Sequence, residues 1–150
     1  MAEPSPAGAR EVRAVLFMCA HNAVRSPMAA GIARHFFGRA IYVTSCGVRP
    51  DDLDPFAVAV MDEIGVAIGD HVPQSLDDLA DLSFDLIVTL SPEAHHQSLE
   101  LTRTQAFDVE YWPTHDPTAA EGTRDQRLDA YRSVRDQLTE RILQRFSGPS

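Results

Sequence analysis

Apolar residues along this chain fall into two rhythms, short unbroken runs and longer stretches with helical spacing, and the two alternate. The first run is Arg13–Met18. A stretch from Pro27 to about Phe37 follows, with Met28, Ile32 and Phe36 on one helical face and Gly38 as its stop. Ala40–Ser45 predicts a second strand. Asp54-Pro55 opens a second helix, with Phe56, Val60 and Ile64 inward and Gly65 at its end. Leu86–Leu90 is a continuous apolar strand, Ser91-Pro92 opens a third helix, and Phe107–Tyr111 gives a weaker fourth strand. The clearest helix runs from Thr123 to Phe146. Thr123 and Gln126 form a capping box, and Leu128, Tyr131, Val134 or Arg135, Leu138, Ile142 and Phe146 make one apolar stripe. Pro27, Pro55 and Pro92 are each expected at the first helical position, behind a Ser or Asp cap, where proline costs no hydrogen bond. Ser75-Leu76-Asp77-Asp78 signals one short capped turn.

Strand and helix alternating four times predict a parallel sheet with helices on both faces. Ligands of such sheets bind beyond the carboxyl ends of the strands. Cys19 falls at the end of strand one and Asp116 just past strand four, at the same edge. Residues 1–11 and 147–150 read as loose tails, which leaves 12–146 as one domain.

Charge narrows the choice of partner. The net charge is −9, and all 13 basic residues are arginine. That balance argues against nucleic acid, whose binding relies on neutralising many phosphates. A small phosphorylated ligand, which feels the local field of its pocket, remains compatible. No apolar run is long enough to cross a bilayer, so no membrane partner is expected. The N-terminal stretch lacks a signal-peptide core, and two cysteines do not make a disulfide scaffold. The expected location is the cytoplasm, and the expected state a monomer.

The chemistry concentrates in Cys19-Ala20-His21-Asn22-Ala23-Val24-Arg25, followed by Ser26-Pro27. A cysteine and an arginine bracket five residues between a strand and a helix. The amides of Ala20, His21, Asn22, Ala23 and Val24 can converge on one point, and a helix N-terminus adds positive potential. Arg25 contributes a planar fork suited to tetrahedral oxyanions such as phosphate or sulfate. Such surroundings favour a thiolate, the nucleophilic form. Alone, Cys19 would read as a small buried hydrophobe ending a strand; Arg25, Ser26 and Pro27 in register behind it favour the nucleophile. Asn22 is the chain's only asparagine, and it suits the left-handed turn of a loop that has no glycine. Ser26 fits two roles, N-cap of the first helix and hydroxyl donor to the sulfur. Asp116-Pro117 fits an ordinary turn as well as a general acid placed opposite the nucleophile.

Other residues read more plainly. Cys46 is a buried filler, with an oxidation partnership to Cys19 as the sharper alternative. The scattered Cys and His residues match no compact zinc-ligand spacing, and no metal is expected. His95 and His96 are expected on an exposed helix, His115 on an exposed loop, and Trp112 in the core beneath the Asp116 loop.

Val15 to Ala29, containing the whole loop, resembles the signature of the low-molecular-weight protein tyrosine phosphatase family, which includes thioredoxin-coupled arsenate reductases. The likeness runs from about Val12 to Phe146. Thr44-Ser45-Cys46-Gly47 resembles the family's Ser-Ala-Gly at the end of strand two. His71 stands where a histidine often steadies the Asn–Ser network beneath the loop, here Asn22 and Ser26, and Asp116-Pro117 matches the late Asp-Pro. The expected architecture is a single three-layer α/β domain, flavodoxin-like, with a four-stranded parallel sheet in the order 2-1-3-4. The resemblance implies a phosphomonoester phosphatase acting on an aryl phosphate, a phosphotyrosine peptide or a phosphorylated small molecule. Cys19 forms a cysteinyl-phosphate, Arg25 and the loop amides hold the oxygens, Asp116 is the general acid, and no cofactor is needed.

Some positions depart from the tyrosine phosphatase pattern. Val24 stands where many members have a second loop cysteine. Val48-Arg49-Pro50-Asp51-Asp52-Leu53 and Thr118-Ala119-Ala120-Glu121-Gly122 contain none of the aromatic residues that wall a phosphotyrosine site. Asp116 to Gly122, with Arg132 to Asp136, looks closer to the arsenate reductase branch. Yet Ser91, His95 and His96 occupy the region after strand three where an internal thiol cascade needs cysteines. The alternatives are a single-cysteine arsenate reductase using an external thiol, and a non-catalytic oxyanion-binding regulatory module.

Overall fold

The computed structural model describes residues 11–80, 83–103 and 105–147. The tails expected at 1–11 and 147–150 lie outside the described residues except for Glu11 and Ser147, the latter being the C-cap of the last helix. Four parallel strands, β1 (Ala14–Cys19), β2 (Tyr42–Gly47), β3 (Leu86–Thr89) and β4 (Asp108–Tyr111), form one sheet in the order β2-β1-β3-β4. This is the flavodoxin-like order anticipated from the sequence. β1 and β3 are central and buried on both faces, which explains their continuous apolar runs.

Alternation across β1 divides the core. Val15, Phe17 and Cys19 face one layer, built from α1 (Arg25–Phe37), α2 (Pro55–Asp62) and α4 (Arg124–Phe146). Leu16 and Met18 face the other, where Cys46, Leu76, Phe84 and Ala94 of α3 (Pro92–Leu101) pack. The helices therefore cover both faces. Tyr131, Leu138 and Ile142 of α4 are buried, and Val134 and Arg135 are buried side by side. Arg135 reaches the Val60 carbonyl and Glu63, fastening α4 to α2.

Several local expectations needed correction. Phe36 and Ile64 are exposed, 48% and 38%, although helical spacing put them inward; each lies near a helix end, past the part that meets the sheet. α1 begins at Arg25, so Pro27 is its third residue, still in the first turn where a missing N–H costs nothing. Pro55 and Pro92 do take the first helical position, behind Asp54 and Ser91, whose side chains accept from Phe56 N–H and Ala94 N–H. β2 runs two residues later than Ala40–Ser45, because its register on β1 pairs Ala14 with Tyr42 and Cys19 with Gly47. His95 is half-buried rather than exposed: it stacks on Tyr111 at 4.6 Å between ring centroids, and its Nδ1 lies 3.0 Å from Thr89 Oγ1. Among the described residues no helix is long and apolar enough to cross a membrane.

Candidate active site

The loop between β1 and α1 turns sharply at Asn22, the one non-glycine residue with positive φ (54°) among the described residues. Its carbonyls point outward to the strap that follows β2. Val48, Arg49, Asp51 and Asp54 N–H donate to the Cys19, Ala20, His21 and Ala23 carbonyls at 3.1, 2.8, 3.0 and 3.1 Å. With those acceptors satisfied from outside, the loop amides are left for the interior of the turn. Two of them, Asn22 N–H and Ser26 N–H, point at Cys19 Sγ from 3.3 and 3.4 Å, the second from the first turn of α1.

Beneath the loop, a buried network fixes the proton positions. Gln74 N–H can only donate, so the Asn22 side-chain atom 3.0 Å away is its oxygen. His71 Nε2, 2.9 Å from that oxygen and 3.3 Å from the Asn22 carbonyl, must then carry a proton. The Asn22 amide nitrogen therefore donates to Ser26 Oγ at 2.8 Å and to Ser45 Oγ at 3.0 Å. Ser26 Oγ already accepts there, which leaves its own hydrogen for Cys19 Sγ at 2.9 Å, a shorter contact than the 3.4 Å to the Cys46 carbonyl. Burial pushes the proton affinity of His71 down, partly offset by its bond to Asn22 and reinforced by the nearby Arg34 cation.

This geometry decides between the two roles of Ser26. Val24 occupies the N-cap of α1 with no side-chain capping bond, and Ser26 lies inside the helix. The capping role is thus incorrect, and the hydroxyl contact to Cys19 is the one present. Cys46 is packed with the opposite core layer, paired in register with Met18, and burial with the neighbouring Cys19 pushes its thiol up to about 12. It is a buried filler on the far face of the sheet. Among the described residues no Cys, His, Asp and Glu cluster could hold a metal ion.

Arg25 is only 8% exposed, and its guanidinium donates to the Thr114 carbonyl at 2.9 Å. Among the described residues it makes no ion pair, in contrast to Arg132, Arg135 and Arg145. A cation so far buried, with no carboxylate in direct contact and only Asp116 nearby, is costly unless an anion joins it. Asp116 follows on the same segment as Thr114 and caps a short 3-10 turn, Pro117–Ala119. Its Oδ1 accepts from Thr118 N–H at 3.0 Å and from the Thr118 hydroxyl at 2.7 Å. Burial pushes the Asp116 carboxyl up, but the Thr118 hydrogen bonds, with Arg25 and His21 nearby, outweigh it and leave it below its usual range.

Cys19, His21, Arg25 and Asp116 line one cleft of about 510 Å³. Ala23, Val24, Thr118 and the strap residues Asp51 to Pro55 complete it, and among the described residues no Phe, Tyr or Trp side chain lines it. Trp112 is buried behind it, edge-on to Phe17 at 6.1 Å. Gln74 went unread in the sequence, and Ser45 and Gly47 were noted only within the Thr44–Gly47 resemblance, with no role attached. Ser45 and Gln74 bind the far side of Asn22 across 23 and 52 residues of chain, and polar residues on separate segments give no sequence signal of meeting. Gly47 passes so close to the loop that an added Cβ would lie 2.6 Å from Asn22 N and 2.8 Å from His21 C. A glycine ending a strand beside a candidate ligand loop could have been read for that close approach.

The sheet, the loop and its helix define an α/β protein with a cysteine at the floor of the loop between β1 and α1. The chain matches the model of the family described as low molecular weight phosphotyrosine protein phosphatase over residues 14–146, and it belongs to that family, whose members are enzymes. It is 34% identical over 129 residues to an arsenate reductase of Shouchella clausii, covering 85% of this chain and 91% of the relative. It is 30% identical over 131 residues to the glutaredoxin arsenate reductase of a Synechocystis species, covering 87% and 94%. Among solved structures, an arsenate reductase in the phosphate binding state superposes with a TM-score of 0.69 at 28% identity, over 90% of this chain and 97% of that one.

Proposed function

We propose that this protein is a phosphomonoesterase that works through a cysteinyl-phosphate. The observation that carries the reading is the buried Arg25, without a carboxylate partner among the described residues, on the wall of the cleft that Cys19 floors and Asp116 overlooks. A phosphoryl group supplies the missing counter-charge, with its oxygens on the loop amides and the guanidinium. Cys19 Sγ, kept nucleophilic by Asn22 N–H, Ser26 N–H and the Ser26 hydroxyl, attacks phosphorus in line. Asp116 is the general acid. In the free protein its carboxyl holds its proton weakly, but a dianionic ester in the cradle raises its proton affinity. That proton passes to the leaving oxygen, and the carboxylate so formed activates water against the cysteinyl-phosphate. His71 and the Asn22–Ser26–Ser45 set hold the loop rather than touch the substrate. A cleft without aromatic walls suits alkyl or small aryl phosphates better than phosphotyrosine. The buried, unpaired cysteines agree with a reducing cytoplasm.

A second reading is an arsenate reductase, favoured by the names of the relatives above. Cys46 lies on the other face of the sheet, so Cys19 would need an external thiol to release arsenite and form a mixed disulfide. The deciding assay uses phenyl phosphate, and arsenate with glutathione or a dithiol protein as donor. The phosphatase reading expects ester hydrolysis abolished in Cys19→Ser and about 10²- to 10³-fold slower in Asp116→Asn. Thiol-dependent arsenate reduction with negligible hydrolysis overturns it in favour of the reductase, and anion binding with neither reaction overturns both.

A further inference from the structure

Of the five residues between Cys19 and Arg25, three are apolar and Asn22 is committed beneath the loop, which leaves His21 as the loop side chain with chemistry to offer the cleft. Its Nδ1 lies 3.0 Å from the Arg49 carbonyl. A carbonyl only accepts, so Nδ1 is the protonated nitrogen of the neutral ring. That carbonyl is well anchored. Arg49 N–H bonds Ala20, Asp51 N–H bonds the His21 carbonyl, and the Arg49 side chain pairs with Glu93 of α3. The neutral ring therefore offers Nε2 as a bare lone pair, which repels an oxyanion. A proton on Nε2 reverses this, adding a donor and a positive charge to the site that holds Arg25.

We propose that His21 is an oxyanion-binding residue in its own right, whose imidazolium donates from Nε2 to the anion held over Cys19, so that anion capture strengthens as pH falls. The charged and titratable groups that line the cleft with the ring are Asp116 on the segment after β4, Asp51, Asp52 and Asp54 on the strap, and Arg25 and Cys19 on its own loop, while Arg49 is occupied by Glu93. The proposal rests on the oxyanion reading of the loop, which phosphate and arsenate chemistry share.

The test uses the full chain carrying Cys19→Ser, which removes turnover and the thiol's titration, and sulfate, which stays a dianion throughout the range. Calorimetry is expected to find sulfate bound roughly 5- to 10-fold more tightly at pH ~5.5 than at pH ~8, as befits one added charge-assisted hydrogen bond. His21→Gln on the same background flattens the profile at the weaker plateau. An unchanged slope in His21→Gln assigns it to His71 or Asp116 and overturns the proposal, as does a flat profile with His21 present. Sulfate bound by neither chain at any pH overturns the oxyanion reading itself. Imidazole ¹⁵N shifts of His21 give an answer without altering the residue. Reciprocity requires sulfate to raise the ring's titration midpoint by the logarithm of the affinity ratio, and an unmoved midpoint overturns the proposal.

Discussion

The two sides of the cleft are built differently. Beneath the loop, Asn22 and Ser26 are fully buried and Ser45 nearly so, and their side-chain bonds reach residues from four separate segments. At the rim, Asp116 and Thr118 are exposed, and the two bonds of the carboxylate go to a residue two positions away. The floor thus owes its shape to groups that never meet the anion and cannot move one at a time. The rim owes its shape to local contacts that one substitution can alter without disturbing the core. On the proposed function, oxyanion capture falls to the first region, and proton delivery and choice of leaving group to the second.

The contrast breaks most completely at Gly47. An added methyl there meets backbone, the Asn22 nitrogen and the His21 carbonyl carbon, which cannot swing aside as a side-chain end could. Gly47→Ala must displace the loop by a sizeable fraction of an ångström. The expected outcome is at least a 10²-fold loss of turnover, since reacting groups misplaced by about 1 Å cost that much. Sulfate binding falls with it while the far-ultraviolet circular dichroism stays that of the parent. Normal turnover in this variant would show that the floor is less rigid than its hydrogen bonds imply.

Asn22→Ala probes the same region through its polar atoms. Gln74 N–H loses its acceptor, His71 Nε2–H keeps only the longer contact to the Asn22 carbonyl, and alanine is placed at φ 54°. An unpaired buried donor costs about 1–3 kcal/mol, and the backbone conformation about 1 kcal/mol more. The expected destabilisation is about 2–4 kcal/mol, a fall of roughly 5–12 °C in Tm. Turnover drops about 10-fold, because the Ser26 hydroxyl is freed from the donor that aims it at sulfur.

The difference between the two regions also explains what could be read from the sequence. The parallel sheet and the Cys19–Arg25 loop were legible because they depend on local periodicity and on one contiguous motif, while the strand order followed from the family resemblance. Phe36 and Ile64 were misread because helical spacing says which face a residue occupies and not how far along the helix the sheet extends. Ser26 was ambiguous because serine beside a helix start serves equally as cap or as donor, and only the position of Sγ decides. Gln74 was silent, and Ser45 and Gly47 were legible only as part of a resemblance and not in their roles, since their partners lie on other segments of the chain.

His71 allows the floor to be read by pH. Its proton affinity is depressed in the folded protein, so the unfolded chain takes up a proton first as pH falls. The stability tied to His71 is full above the unfolded value of ~6.5 and is lost as pH drops from there through the lower folded value. Thermal unfolding between pH ~8 and ~5 should therefore show a falling Tm, with a shallower slope in His71→Gln. Equal slopes in the two proteins would mean that the imidazole is already charged beneath the loop.

The smallest effect is expected at the rim, from Thr118→Val. Valine keeps the shape and the backbone N–H to Asp116 but deletes the hydroxyl that donates at 2.7 Å. Burial already pushes the Asp116 carboxyl up and hydrogen bonds pull it below its usual range, so losing the stronger of the two Thr118 contacts raises it. A general acid works while it holds its proton. The alkaline limb of kcat/KM therefore moves to higher pH by less than about one unit, with the plateau little changed. The shift should be visible with an alkyl phosphate, whose leaving oxygen needs a proton, and nearly vanish with a nitrophenyl phosphate, whose phenolate departs unaided. The sulfate affinity of the same variant at pH ~8 should equal that of the parent. An affinity that changed together with the limb would show that floor and rim are coupled and that the division between them is wrong.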